Sequence, residues 1–353
     1  MRTRWKRSGA QAPTPAVFRW DLDKTYLKSE FDSLRELVRI PFEKAEDKIA
    51  APGVVALIRA LRESALASGR DPRTYFISAS PPQIGRAIRE KLDLDGIVYD
   101  GIVFKDQLQR LIRGKFRHLR EQVGFKLTEL LKARLRDAAA AQECLFGDDW
   151  ESDPLIYSLY ADVLAGRVSE DELGEVLQAI RVDPPLVREA CALAGRVERA
   201  EAVTCIFIAL ERRTPLARFR CFGSRLIPTF NYFQTAACLY DQGVLDRAGV
   251  AAVARSLVTE SAYSKRRLAN SLADLQRRGH LREASASALR RYLRRRQLLA
   301  VPGQGAAESW WAWIKRVPAA VWPHEPVRRL AAPSAIDYRD VVAQRRAAES
   351  SSG

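Results

Sequence analysis

Two aspartates lie close together in the stretch "FRWDLDKTYL", where Asp21 and Asp23 follow a short apolar run. Like charges held this close are unfavourable unless a cation or a turn stabilises them. Clustered aspartate oxygens suit a hard cation such as Mg²⁺, and an aspartate can attack phosphorus as a nucleophile. A second carboxylate nearby can protonate the leaving oxygen and afterwards activate water. Taken alone, the pair is also typical of an acidic turn after a strand.

Polar side chains follow two further predicted strands. Ser78 and Ser80 come at the end of "RTYFISAS", and Asp148, Asp149 and Asp153 follow "ECLFG". These strands alternate with helical segments, which predicts βαβ units and a parallel sheet. Ligands bind at the carboxyl ends of the strands in such sheets. We therefore expect the serines and both groups of aspartates to converge at one edge of the sheet.

A cation near the aspartates would stabilise the oxygens of a transferring phosphoryl group. Lys126 lies in "GFKLTELL", at the predicted start of a helix over residues 124–141, and is the preferred candidate. Lys105, Lys115 and Lys132 are the alternatives that the sequence leaves open.

The stretches "DLDKT", "FISAS", "GFKLTELL" and "FGDDWESD" resemble, in order and spacing, the four motifs of the haloacid dehalogenase superfamily. The resemblance implies a phosphatase that works through an aspartyl-phosphate. Asp21 would be the nucleophile and Asp23 the acid and base. Ser78 and Lys126 would bind the phosphoryl oxygens, and Thr25, which closes the first motif, would also bind phosphate.

The same resemblance implies a Mg²⁺ site. Its ligands would be the carboxylates of Asp21 and Asp148 and the backbone carbonyl of Asp23. Asp153 would be the second carboxylate of the fourth motif and would orient a water on the metal. Apart from the resemblance, Asp149 is a candidate for a supporting contact next to these ligands, because it follows Asp148 directly.

A closer resemblance covers residues 16–211. "PGVVALIRAL", "YFISASPPQI", "FGDDWESDPLIY" and "CIFIAL" resemble the phosphatidate phosphatase family of fungal actin patches and its bacterial relatives. The chain departs from that family at Lys24, where an aspartate is usual, in the context of Lys126, and in a helical insertion at about 167–200. The resemblance implies hydrolysis of a large or lipid-borne phosphomonoester such as phosphatidate. The alternatives are a phosphatase of nucleic-acid ends and a non-catalytic protein of this fold that binds anionic polymers or membranes.

The sequence as a whole predicts an α/β fold. It would be a Rossmannoid parallel sheet with helices on both faces, without a large cap, followed by an α-helical C-terminal region. The intervals before and after Ser78 are too short for a large lid, which favours large substrates. The predicted divisions are a disordered basic tail (1–15), the phosphatase domain (16–215, with 202–211 as its last strand), a basic helical region (216–300) and a Trp-rich segment with a frayed tail (301–353).

The chain is strongly basic, with a formal net charge of +15. Residues 243–300 hold thirteen Lys and Arg against four Asp and Glu. This excess predicts contact with a phosphorylated substrate, nucleic acid or an anionic membrane surface, although a solvated helix face would have the same composition. The densest stretch contributes the arginines Arg290, Arg291, Arg294, Arg295 and Arg296.

The five cysteines are scattered and form no C-x-x-C pair, which is typical of reduced thiols in a cytoplasmic protein. No stretch approaches the roughly 20 apolar residues that a transmembrane helix needs. We therefore expect a cytoplasmic protein without a transmembrane segment, with peripheral membrane contact as an option through the basic region or the tryptophans of 308–322.

Overall fold

The computed structural model describes residues 14–27, 49–78, 82–105, 115–137, 141–150, 152–300 and 336–350. Parts of the intervals in which a lid was considered (28–48, 80–81 and 106–114) fall outside these residues, as do most of the predicted basic tail and of the Trp-rich segment. None of the described helices is both long and apolar enough to cross a membrane.

The described residues contain a six-stranded sheet in which every pair of neighbouring strands is parallel. In chain order, the strands are β1 (Pro15–Asp21), β2 (Asp71–Ser78), β3 (Gly101–Phe104), β4 (Gln142–Asp148), β5 (Val203–Ala209) and β6 (Leu226–Thr229). Across the sheet the order is β3-β2-β1-β4-β5-β6. The order reverses between β1 and β4, and open α/β sheets bind ligands beyond the strand ends at such a reversal.

Helices cover both faces of the sheet. They are α1 (Val54–Ala67), α2 (Gly85–Leu94), α3 (Lys115–Arg136), α4 (Asp153–Leu164), α5 (Glu170–Ile180), α6 (Pro184–Ala194), α7 (Tyr232–Asp241), α8 (Arg247–Glu260), α9 (Lys265–Arg277), α10 (Glu283–Arg295) and α11 (Tyr338–Ser350). One buried apolar cluster joins one sheet face to α1, α2 and α7 to α10. A second joins the other face to α3 to α6. The predicted α/β class, with a parallel sheet and helices, is confirmed.

Aromatic packing fixes the central strands to one another. Trp20, Phe146 and Phe207 are register partners on β1, β4 and β5. Their rings stack with centroid distances of 3.8 Å and 5.5 Å. Because parallel strands are buried on both faces, such bulky apolar residues are what they require. These three stacked rings hold β1 and β4 side by side up to their carboxyl ends.

The C-terminal helices belong to the same core as the first half of the chain. Leu257, Leu272 and Leu289 lie in one apolar cluster with Trp20 and Leu57. The predicted division near residue 216 therefore falls inside one continuous core, and α7 to α10 are a layer of it.

The sheet and one helix extend further in the structure than the sequence predicted. The sheet continues beyond residues 202–211, because β6 adds a strand of four residues. That strand is short and contains Pro228. An edge strand tolerates proline, but a proline in so short a segment argues against a strand when only the sequence is known. The helix predicted over 124–141 begins at Lys115, so Lys126 lies in its middle.

Gly124 explains why the helix start was misjudged. It suggests a break, yet it lies inside α3. A Cβ at this position would come 2.6 Å from Cγ1 of Val182. Gly124 therefore permits close packing between α3 and the loop that joins α5 to α6. These two helices occupy the predicted helical insertion.

Candidate active site

Three buried aspartates converge at the carboxyl edge of the sheet. Asp21 is the last residue of β1, Asp148 is the last residue of β4, and Asp153 begins α4. All three have exposed fractions of 0%. One carboxylate oxygen from each lies within 4.8 Å of the other two. The structure therefore brings together these three predicted residues, at the point where the strand order reverses.

Gly147 allows Asp153 to reach this cluster. A Cβ at Gly147 would lie 2.4 Å from Oδ2 of Asp153, so only glycine leaves room for that carboxylate. The same oxygen accepts a hydrogen bond from the backbone N–H of Asp148 at 3.3 Å. The carboxylate is thus folded back against the end of β4.

Lys126 contacts two aspartates of this cluster. Its Nζ lies 2.7 Å from Oδ1 of Asp21 and 2.7 Å from Oδ1 of Asp153, and the ammonium is fully buried. A buried charge of this kind needs paired, hydrogen-bonded partners, which the two carboxylates supply. Lys132, one of the alternatives, instead pairs with Glu129 and Glu189 and is 38% exposed.

Asp23 and Ser78 form a second pair beside the cluster. Ser78 ends β2, and its hydroxyl donates to Oδ2 of Asp23 at 2.8 Å. Asp23 is half-buried, whereas Asp21 is completely buried. Two neighbouring carboxylates in such different surroundings are suited to different roles, because the environment sets what each one does.

Thr25 contacts a carboxylate of the cluster. Its hydroxyl donates to Oδ2 of Asp148 at 3.4 Å, and its backbone carbonyl accepts from the hydroxyl of Tyr232 at 2.5 Å. The hydroxyl expected to bind phosphate thus lies against a candidate metal ligand. Tyr232, from the start of α7, was not predicted as a site residue. An aromatic-rich helix start was its only signal.

Asp149, which follows Asp148 directly, contacts the loop after β5. Its carboxylate accepts the backbone N–H groups of Arg212 at 2.8 Å and Thr214 at 2.9 Å. It therefore holds the loop that follows β5. Trp150, the next residue, donates its backbone N–H to Oδ1 of Asp148 at 2.6 Å. Sequence reasoning missed Arg212 and Trp150.

Two buried tyrosines lie in the field of the carboxylates. Burial raises the pKa of Tyr157 well above its usual value, and the charge of Asp153 raises it further. Burial likewise raises the pKa of Tyr232, with Glu211, Asp148 and Asp21 adding to the effect. Both phenols therefore remain protonated hydrogen-bond donors. Tyr157 donates to the carbonyl of Phe146 at 3.3 Å.

The donor set fits a hard divalent cation. All the candidate ligands in the cluster of Asp21, Asp148 and Asp153 are carboxylate oxygens, which Mg²⁺ prefers. These three groups and the ammonium of Lys126 together carry a formal charge of −2. A buried excess of negative charge is costly unless it is compensated, and one divalent cation would balance it.

Comparison with known proteins gives no assignment for this site. No protein-family model, curated protein or solved structure matches the chain. The site is therefore characterised by its own geometry, in which three buried aspartates lie together and two of them contact one buried lysine.

Proposed function

We propose that this protein is a Mg²⁺-dependent phosphomonoester hydrolase of the haloacid dehalogenase type, in which Asp21 is phosphorylated. One observation supports this most strongly. Three separate segments of the chain supply Asp21, Lys126, and the pair Asp148 and Asp153, yet these side chains meet at the strand reversal of a parallel sheet. The order of their motifs and the Asp23–Ser78 pair support the same proposal.

In the first step, an oxygen of Asp21 attacks phosphorus. The bond from phosphorus to the leaving oxygen breaks, and Asp23 gives its proton to that oxygen. In the second step, water attacks phosphorus while Asp23 accepts its proton. The bond between phosphorus and Asp21 then breaks, which releases inorganic phosphate and restores the carboxylate of Asp21 and the protonated form of Asp23.

Lys126 and Ser78 have supporting roles in this scheme. The ammonium of Lys126 already contacts Asp21, so it can also stabilise the phosphoryl oxygens that approach that carboxylate. The hydroxyl of Ser78 can donate to a phosphoryl oxygen and release Asp23 for proton transfer. Mg²⁺ would be held by Asp21, Asp148, Asp153 and the carbonyl of Asp23, and it would supply positive charge to the same oxygens.

The substrate is proposed to be a large phosphomonoester, with phosphatidate as the first candidate and a phosphorylated nucleic-acid end as the second. A panel of phosphatidate vesicles, phosphorylated oligonucleotides, sugar phosphates and p-nitrophenyl phosphate tests this proposal. We expect Mg²⁺-dependent release of phosphate, greatest with a bulky substrate. If the protein hydrolyses none of these substrates in Mg²⁺, the phosphatase proposal is wrong.

A basic surface favours an anionic partner as a second candidate function. Arg291, Arg295 and Arg296 are exposed at the end of α10, while Arg290 lies 3.6 Å from Glu283. Exposed arginines bind the phosphates of nucleic acids or anionic lipids. Tight binding of vesicles or oligonucleotides without any turnover would favour a non-catalytic role.

Mg²⁺ should stabilise the folded protein through Asp148. A ligand at about 100 times its Kd adds about 2.7 kcal/mol to the free energy of unfolding. We expect Mg²⁺ to raise the melting temperature of the parent protein and EDTA to reverse the rise. Asp148→Asn should remove both the rise and the Mg²⁺-dependent activity, because it withdraws a charged ligand.

Asp93→Asn, on the exposed end of α2, is the control with the same chemical change. It should respond to Mg²⁺ as the parent protein does. An undiminished Mg²⁺ response in Asp148→Asn would show that the ion binds elsewhere.

A further inference from the structure

An exposed tryptophan at the candidate site is in contact with two cations. Trp150 is 37% exposed. The Nζ of Lys24 lies 3.4 Å from its centroid, and the guanidinium carbon of Arg212 lies 4.8 Å from it. We call Lys24, Trp150 and Arg212 the Trp150 cluster. Its members follow β1, β4 and β5, three neighbouring strands of the sheet.

The cluster is fixed to the proposed catalytic groups. Lys24 follows Asp23 directly. Trp150 donates its backbone N–H to Asp148, and the intervening Asp149 holds the backbone N–H of Arg212. Three consecutive residues thus connect a candidate metal ligand, the Arg212 loop and the aromatic ring. The two cations are therefore held at a defined position next to the site.

The backbone of Lys24 is unusual. Its φ is +61°, a left-handed conformation that glycine adopts without cost. For other residues it costs of the order of 1 kcal/mol or more. A strained non-glycine residue directly beside a candidate site motivates a functional hypothesis for its side chain. Its ammonium is the group that contacts Trp150.

Both charges are available to a ligand. Within the part of the chain that the structure describes, neither Lys24 nor Arg212 forms an ion pair with a carboxylate. Both cations contact the same ring, and an anion close to both would be stabilised by their charges. Guanidinium and ammonium groups are the usual ligands of phosphate oxygens.

We propose that Lys24 and Arg212, positioned by Trp150, bind a second phosphate group carried by the leaving group of the substrate. This rests on the proposed phosphatase function and names its substrate class: a phosphomonoester with a further phosphate close to the scissile one. Of the two candidate substrates, the phosphorylated nucleic-acid end has such a phosphate and phosphatidate does not, so the inference favours the second candidate. An anion is favoured over a stacked aromatic ring because the cations already contact the ring of Trp150.

The test compares esters that differ by one phosphate. A sugar bisphosphate is compared with its monophosphate, and a nucleoside bisphosphate with its monophosphate, by kcat/KM in Mg²⁺. We expect the bisphosphate to be preferred in both pairs. Preference for any nucleoside over any sugar, regardless of the second phosphate, would mean that Trp150 stacks on a base and would overturn the proposal.

Substitutions test which side chains cause the preference for the bisphosphate. Each of Lys24→Gly and Arg212→Gln should lower the ratio of kcat/KM for bisphosphate over monophosphate by about 10- to 100-fold, the range of a charge-assisted hydrogen bond. Lys24→Gly relieves the backbone conformation while it deletes the side chain, so it should fold at least as well as the parent protein. Unchanged preference in Lys24→Gly would overturn the role of its ammonium.

Arg70→Gln is the matched control. Arg70 is exposed and directly precedes β2, so it lies at the opposite edge of the sheet from the site. The eight-residue strand separates the two edges by roughly 23 Å. This variant should retain the full preference. A loss equal to that in Arg212→Gln would mean that only net charge matters, and the proposal would be wrong.

These outcomes separate the two proposals. If the parent protein hydrolyses p-nitrophenyl phosphate but does not prefer bisphosphates, the phosphatase proposal stands and the second-phosphate proposal fails. If it hydrolyses no ester at all, both fail.

Discussion

Asp21→Asn is expected to reduce the hydrolysis of p-nitrophenyl phosphate by about 10⁴-fold or more, the scale on which removal of a covalent nucleophile acts. An amide carries no negative charge and is a much poorer nucleophile toward phosphorus. The asparagine has the same shape, and its carbonyl oxygen can still accept a hydrogen bond from Lys126. The loss should therefore appear in kcat with a folded protein, measured by steady-state kinetics in Mg²⁺.

Asp93→Asn provides the control, since it makes the same change on the exposed end of α2. It should keep the activity of the parent protein. Hydrolysis by Asp21→Asn at the parent rate would show that Asp21 is not the nucleophile.

Lys126→Met is expected to lower the free energy of unfolding by about 3–5 kcal/mol in the absence of Mg²⁺, as is typical when one partner of a buried ion pair is removed. Methionine roughly preserves the volume, but Asp21 and Asp153 then face each other without the ammonium that lies 2.7 Å from each. Denaturation with urea measures the change. Activity should be lost as well, because a cation at the phosphoryl oxygens is removed.

Two comparisons make this result specific. Lys132→Met removes a surface lysine of the same helix that pairs with Glu129 and Glu189, and it should cost less than about 1 kcal/mol. Adding Asp153→Asn to Lys126→Met should recover part of the lost stability, because the buried charges are then fewer. Equal effects of Lys126→Met and Lys132→Met would contradict the buried ion pair.

The convergence of the aspartates could be predicted from the sequence for a simple reason. Asp21 and Asp148 each follow a short apolar run, and parallel strands bring such ends to one edge. The sequence pattern alone therefore placed them together, with the fold class. Lys126 was singled out by its motif, and its contacts with Asp21 and Asp153 now distinguish it from Lys132.

Other features could not be predicted because they depend on contacts between distant residues. Gly124 suggests a helix break until Val182 is known to pack against it. The sequence around Thr25 does not indicate that its hydroxyl donates a hydrogen bond to Asp148. Trp150 lies in an acidic loop, and no residue of that loop predicts a contact with Arg212. Arg212 follows β5, which ends at the same edge of the sheet as β4.

The central claim is that Asp21 becomes phosphorylated, and Asp23→Asn allows the most direct test. p-Nitrophenolate is a good leaving group that needs little protonation, so this variant should still transfer the phosphoryl group to Asp21. Without Asp23 as base, the phosphorylated enzyme should then accumulate. Rapid mixing followed by acid quenching, borohydride reduction and peptide mapping locates the modified residue, because borohydride reduces an aspartyl-phosphate to homoserine.

We expect a burst of p-nitrophenolate close to one equivalent of enzyme, with homoserine at position 21 only when substrate is present. Homoserine at another aspartate, or an unmodified Asp21 in a variant that still turns over the ester, would contradict the account.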